Sequence, residues 1–107
     1  MKLLNDARIT EENSGLTANV TEAICLLAKK HKAELVILFG SRARGDFKEK
    51  SDIDLAVSAD DFSGFCLDTD EETPTLLKYD FIDLKGNISE ELLSVIEKEG
   101  RILYSKR

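Results

Sequence analysis

Residues 35–57 read LVILFGSRARGDFKEKSDIDLAV, and the fold turns on this stretch. Leu35 to Phe39 is an unbroken apolar run closed by Gly40, the pattern of a buried strand. Asp52 to Val57 alternates with period two: Ile53, Leu55 and Val57 share one face, and Asp52, Asp54 and Ala56 the other. Residues 40–51 between them form a Gly- and Arg-containing connection with room for a short helical turn.

Working outward, Leu16, Val20, Ile24 and Leu27 recur at helical spacing and predict a helix ending near Lys32. Residues 1–15 are mixed and polar, a frayed or helical lead-in. Downstream, 58–77 is broken by Gly64 and Pro74 and is expected to be a loop with at most a short helix. Residues 79–84 predict a third strand. Ser89 then caps a helix whose first turn holds Glu90 and Glu91, and whose buried face is Leu92, Leu93 and Ile96. Gly100 falls at its C′ position, and Ile102–Tyr104 suits a short final strand. The order predicts one domain over residues 1–107, of the α+β (α/β) class, with a small mixed sheet and helices packed on one face.

The 107 residues carry a net charge of −6. Segment 58–77 alone holds six acidic residues and no Lys or Arg, so the rest of the chain is neutral. Within that remainder, 40–50 has Arg42, Arg44, Lys48 and Lys50 against Asp46 and Glu49, a local +2. The acidic balance argues against long nucleic acid and anionic membranes as partners. No apolar run is long enough for a membrane span, and the first residues lack an apolar signal core, so a cytoplasmic location is expected. Cys25 and Cys66 have no metal-ligand spacing and read as reduced thiols. His31 follows Lys29 and Lys30 at a helix end, where a cation suits the dipole. Arg44-Gly45-Asp46 and Asn87-Ile88-Ser89 spell an integrin tripeptide and a glycosylation sequon, but serve better as loop and helix cap.

Asp52 and Asp54 are the informative pair. Two carboxylates at i and i+2 of a strand lie about 6.6 Å apart and repel by roughly 2–3 kcal/mol at an effective dielectric of about 20. A hard cation between them turns that repulsion into binding. Asp-x-Asp alone more often marks a solvated polar face. The preceding residues change the balance. Gly40 permits close backbone approach, Ser41 offers a hydroxyl and an N–H to phosphate oxygens, and Arg42 and Arg44 offer charge-assisted donors. Strand, phosphate loop and two carboxylates together bring a metal-bound triphosphate to one place.

Gly40-Ser41, then Asp52-x-Asp54, preceded by Val36-Ile-Leu-Phe39, resembles the signature of the polymerase-β-type nucleotidyltransferase superfamily. The small size and the Ala-Arg-Gly and Ser-Asp details resemble its minimal nucleotidyltransferase branch. The resemblance implies a polymerase-β-like fold and transfer of a nucleoside monophosphate, AMP from ATP, with two Mg²⁺ ions, or Mn²⁺ in their place. By position it implies nucleotide binding by Gly40 and Ser41 and metal ligation by Asp52 and Asp54. Arg42 and Arg44 are expected to offset charge on the triphosphate, with pairing to Asp46 or Glu49 as the alternative for either. A third carboxylate belongs on a neighbouring strand. Asp80 and Asp83 point to opposite faces, and Asp80 fits the family pattern of Asp followed by two apolar residues.

Only 23 residues follow Leu84, so acceptor recognition is expected to come from a partner or from self-association. The family's minimal chains pair with helical HEPN proteins as toxin–antitoxin systems, in which the transferase adds AMP to the toxin. The leading expectation is a protein adenylyltransferase acting as antitoxin. The alternative is a module that neutralises a HEPN partner by contact, with segment 58–77 as its acidic docking surface. Transfer to a small antibiotic-type acceptor is disfavoured, because no substrate domain is visible.

Overall fold

The computed structural model describes residues 9–106. The first half of the expected lead-in, residues 1–8, lies outside that range. Within it, α1 (Glu11–Ser14) is a single turn boxed by Thr10 and Asn13. Helix α2 (Ala18–Lys30) starts where the Thr17 hydroxyl accepts the Val20 N–H. Its buried stripe of Val20, Ile24 and Leu27 is the one the spacing predicts. Strand β1 (Ala33–Phe39) follows, then the one-turn helix α3 (Ser41–Arg44) and strand β2 (Ile53–Ala59). Beyond these come α4 (Phe62–Glu72), β3 (Tyr79–Asp83), α5 (Glu90–Glu99) and β4 (Arg101–Ser105).

The four strands form one mixed sheet in the order β3-β2-β1-β4. β1 pairs antiparallel with β2 and β4, and β2 pairs parallel with β3. The end of β1 and the starts of β2, β3 and β4 therefore meet at one edge of the sheet. No helix among the described residues is long and apolar enough to cross a membrane.

Strand alternation divides the core. Val36, Leu38, Ile53, Leu55 and Val57 pack with α2, with Ala43 of α3 and with Phe65 of α4. Each fully buried Leu, Ile or Val contributes roughly 1.5–3 kcal/mol. Ile37, Phe39 and Ala56 face the other way and pack on Ile96 and Leu92 of α5. The expectation of helices on one face thus holds for α2 and α4 but not for α5. The reason is topological. α5 connects β3 at one edge to β4 at the other, so it crosses β2 and β1, and the first face is already filled.

Segment 58–77 is also more ordered than the sequence suggests. β2 runs on through Ala59, and α4 is an 11-residue helix. Parallel strands β2 and β3 require such a crossover. The sequence signal is faint because only Phe65 and Thr69 of α4 are buried, too narrow a stripe for a clear period. Gly64 lies in the first turn and Pro74 beyond the last, so neither interrupts the helix. Asp61 caps it by accepting the Gly64 N–H at 3.2 Å. Gly100 corrects a smaller point: it ends α5 in an extended conformation, not a left-handed one.

His31, expected as a cation at the end of α2, is buried and ties that helix to α4. Its Nδ1 lies 2.7 Å from Asp61 Oδ2 and its Nε2 lies 2.7 Å from Asp68 Oδ2. Ionised carboxylates only accept, so both ring nitrogens must donate, which requires the imidazolium. Burial opposes that charge, but the hydrogen bonds to Asp68 and Asp61 outweigh it and raise the His31 pKa. The same bonds, with Lys30 on Asp68 at 3.0 Å, lower the pKa of both carboxylates.

The sign of the pH dependence follows. A raised histidine pKa stabilises fully below about 6.5, the unperturbed value, and that stabilisation is lost as pH rises through the folded-state pKa. The lowered Asp61 and Asp68 pKa values stabilise above the ordinary carboxylate range and lose their contribution in acid. His31→Gln is therefore expected to lower the thermal midpoint at pH 6, with the deficit shrinking toward pH 9. A deficit equal at both values would refute the charged clamp.

Candidate active site

The working edge is built where β1 ends beside the start of β2. Gly40 leaves β1 with φ 76°, a left-handed value that glycine adopts without strain. A Cβ built there would fall on the Asp54 carboxylate. Two requirements therefore demand glycine: the backbone angle and the close approach. The chain then makes the single turn of α3 and closes on Gly45, whose N–H donates to the Ser41 carbonyl at 2.9 Å. Ser41, half-buried, opens this turn. As its first two residues, Ser41 and Arg42 carry N–H groups with no intrahelical acceptor.

The three carboxylates lie on the same side of the sheet as α5. Asp54 is paired in register with Phe39 on β1 and with Asp80 on β3. Phe39 and Ile82 both pack in the α5-side cluster, which fixes the face for Asp54 and Asp80. Asp52 continues the same alternation one step before β2. Asp83 falls on the opposite face, where its charge adds to burial in pushing the Cys66 thiol up to about 11.

Crowding of like charge is visible at Asp54. Its pKa is raised to about 6, first by burial and then by the charges of Asp80, Asp52 and Glu99, with Arg44 pulling the other way. Oxygen donors held against their mutual repulsion fit a hard divalent cation. Among the described residues, no three acidic, His or Cys side chains are already gathered into a finished cage. The fit therefore rests on register, face and charge. An open cleft of about 410 Å³ adjoins Asp52, lined by Lys50, Leu76, Leu77 and Lys78.

Arg42 departs from the expectation that it faces a triphosphate. It is 1% exposed and lies under the loop. Its Nε and Nη2 donate to the Ser51 carbonyl at 3.0 and 2.9 Å, its Nη1 to the Ser14 carbonyl at 3.0 Å, and its Nη2 to the Glu49 carbonyl at 3.2 Å. The guanidinium also sits over the Phe47 ring, 5.1 Å from its centre. Arg42 thus binds the loop to itself and to α1. Arg44 is exposed at the rim, donating to Asp46 Oδ2 at 3.2 Å and to Glu99 Oε2 at 2.8 Å.

Glu99 has no counterpart in the sequence reading. It is the last residue of α5, and its other oxygen accepts the Gly40 N–H at 3.1 Å. No motif marks it. The only sequence cue is its position just before the strand that pairs with β1.

A glycine-led turn set against strand carboxylates that face one another across a parallel pair is an arrangement suited to handling a nucleotide. Comparisons with known proteins give the family. Residues 22–107 match the family described as "Polymerase beta, Nucleotidyltransferase". A relative from Methanocaldococcus jannaschii, named "Putative protein adenylyltransferase MJ0604", is 34% identical over 96 residues, covering 79% of this chain and 94% of the relative. A crystal structure of a toxin–antitoxin protein with AMP-PNP is 25% identical, with a TM-score of 0.62, covering 81% of this chain and 74% of that one. A mutant of the toxin–antitoxin pair MntA–HpeT superposes with a TM-score of 0.63 over the same shares, at 24% identity, and shows the shared fold. The chain belongs to the polymerase-β nucleotidyltransferase family and is a nucleotidyltransferase.

Two outcomes test the geometry. Gly40→Ala is expected to reduce transfer to background, because the new methyl displaces the Asp54 carboxylate; activity within threefold of wild type would refute the close approach. Asp54→Asn, without divalent cations, is expected to raise the thermal midpoint at pH 7.5. Wild-type Asp54 stays protonated in the folded chain until pH nears 6, while the unfolded chain ionises from about 4. Its charge therefore costs stability above that window, and the advantage of Asn should disappear below pH 4.

Proposed function

We propose that this chain transfers AMP from ATP to a hydroxyl group on a partner protein, in a reaction that requires divalent cations. The observation that carries the reading is the register of Asp54 opposite Asp80, with Asp52 on the same face and Gly40 closed against Asp54. Asp54 and Asp80 on adjacent strands, with Asp52 just before β2, are the donor set proposed for Mg²⁺, or Mn²⁺ in its place. A metal held by these carboxylates would supply Lewis acidity toward the acceptor hydroxyl and charge to offset the departing pyrophosphate.

The chain's own groups do the rest. Ser41, through its hydroxyl and N–H, receives the terminal phosphates, and Gly40, with no side chain, lets them come close to the turn. Arg44 keeps N–H donors beyond those used on Asp46 and Glu99 and turns them to the triphosphate. Arg42 contributes by holding the loop rigid from beneath. Asp80, exposed on β3, holds a cation or accepts the proton leaving the acceptor. The cleft lined by Lys50, Leu76, Leu77 and Lys78 adjoins Asp52 beside the chain that enters β3. It is the proposed entry for the acceptor, which in-line displacement requires opposite the departing pyrophosphate.

The partner reading rests on the family resemblance and on relatives that are themselves toxin–antitoxin proteins. It makes the acceptor a HEPN toxin and this chain its antitoxin, working in the cytoplasm. The test is incubation of the chain with Mg²⁺, labelled ATP and the protein encoded beside it, followed by mass spectrometry of the acceptor for added AMP. Label is expected on the partner. It should be lost with a chelator, and lost with Asp52→Ala combined with Asp54→Ala. Transfer that survives the double substitution would refute the assignment of these carboxylates.

A further inference from the structure

We propose that Glu99 is a positioning residue for the nucleotide: one carboxylate that holds both ends of the phosphate turn from outside it. The inference rests on the nucleotidyl-transfer reading above and adds a residue to it.

The need for such a residue arises from the sheet. The β1–β4 ladder ends with Leu38 opposite Arg101. Beyond that pair the chain departs through Gly100 into α5, so the Gly40 N–H has no strand partner on this side. Glu99 replaces the missing partner with its side chain, Oε1 accepting that N–H at 3.1 Å. Its second oxygen accepts from Arg44 Nη1 at 2.8 Å. Gly40 precedes the first residue of α3 and Arg44 is the last, so the carboxylate spans the whole turn. The Glu99 side chain is 16% exposed, which limits screening and holds the pair in a defined geometry.

The consequence for binding is directional. Arg44 sits at the rim of the site, where a long side chain free to rotate would lose entropy on meeting a phosphate. Glu99 and Asp46 together fix the plane of its guanidinium and leave N–H groups on Nη1 and Nη2 for an anion. Glu99 therefore acts on the nucleotide through Gly40 and Arg44, without touching it.

The test uses AMP-PNP with Mn²⁺ and isothermal titration of the full chain, alongside thermal melts that verify folding. Glu99→Ala is expected to weaken AMP-PNP binding by about tenfold, in the range of one charge-assisted hydrogen bond. Glu99→Gln keeps an acceptor for Gly40 but loses the charge facing Arg44, and should fall between wild type and Glu99→Ala. Arg44→Ala should weaken binding on its own. Combined with Glu99→Ala the loss should fall clearly short of the product of the two single losses, because the part of Glu99's effect that passes through Arg44 is already gone.

Additive losses in the double variant, or binding by Glu99→Ala as tight as wild type or tighter, would overturn the positioning role while leaving nucleotidyl transfer intact. A wild-type chain that binds no AMP-PNP would instead overturn both.

Discussion

At the sheet edge where β1 hands over to β2, there is no space for a side chain between the Gly40 backbone and the Asp54 carboxylate. That exclusion sets the spacing of everything around it. The turn of α3 starts beside the residue that touches the carboxylate, so the glycine-led turn and the strand carboxylates share a wall. The same closeness withdraws water from Asp54 and lets the charges of Asp80, Asp52 and Glu99 bear on it. The edge thus carries a cost: a half-buried carboxylate, Asp54, crowded by like charge. Sites that do chemistry commonly hold such unfavourable charge in reserve.

The interior of the edge depends on a second device, an arginine used as a structural cross-link. Arg42 gathers carbonyls from Ser14, Glu49 and Ser51 around one planar cation. Carbonyls in an irregular loop need donors if they are to be buried, and Arg42 supplies them where no strand or helix does. His31 performs a comparable task between α2 and α4, with two carboxylates in place of carbonyls. In both places a cation is spent on holding chain segments together.

Much of this was legible in the sequence, and the reasons for success and failure are physical. The strands at 35–39 and 53–57 and the helices around Ile24 and Ile96 carry strong apolar periods, so they stand out. The Gly40-Ser41 and Asp52-x-Asp54 pairs are local, and their spacing in the chain reflects their spacing in space. α4 was missed because it buries one narrow stripe and solvates the rest, which looks like a loop. Arg42 and Arg44 are indistinguishable by type and neighbourhood; only the packing beneath α3 separates a loop cross-link from a rim donor. Glu99 lies in a different part of the chain and reaches the site through the β1–β4 pairing, a relation that no local pattern encodes. The placement of α5 on the second face follows from strand order, which the sequence does not state.

The Arg42 cross-link has a bearing on the thermodynamics of ligand capture. A phosphate loop that is disordered when empty must lose backbone freedom as it closes on its anion, at roughly 1–2 kcal/mol for each residue fixed. Here the chain from Gly40 to Ser51 is anchored from below by the bonds of the buried Arg42 to Ser14, Glu49 and Ser51. The ordering cost is met during folding, so little of it remains to be set against the affinity for the triphosphate. Capture of nucleotide by this edge should then be governed mainly by charge and desolvation, with a small conformational-entropy penalty.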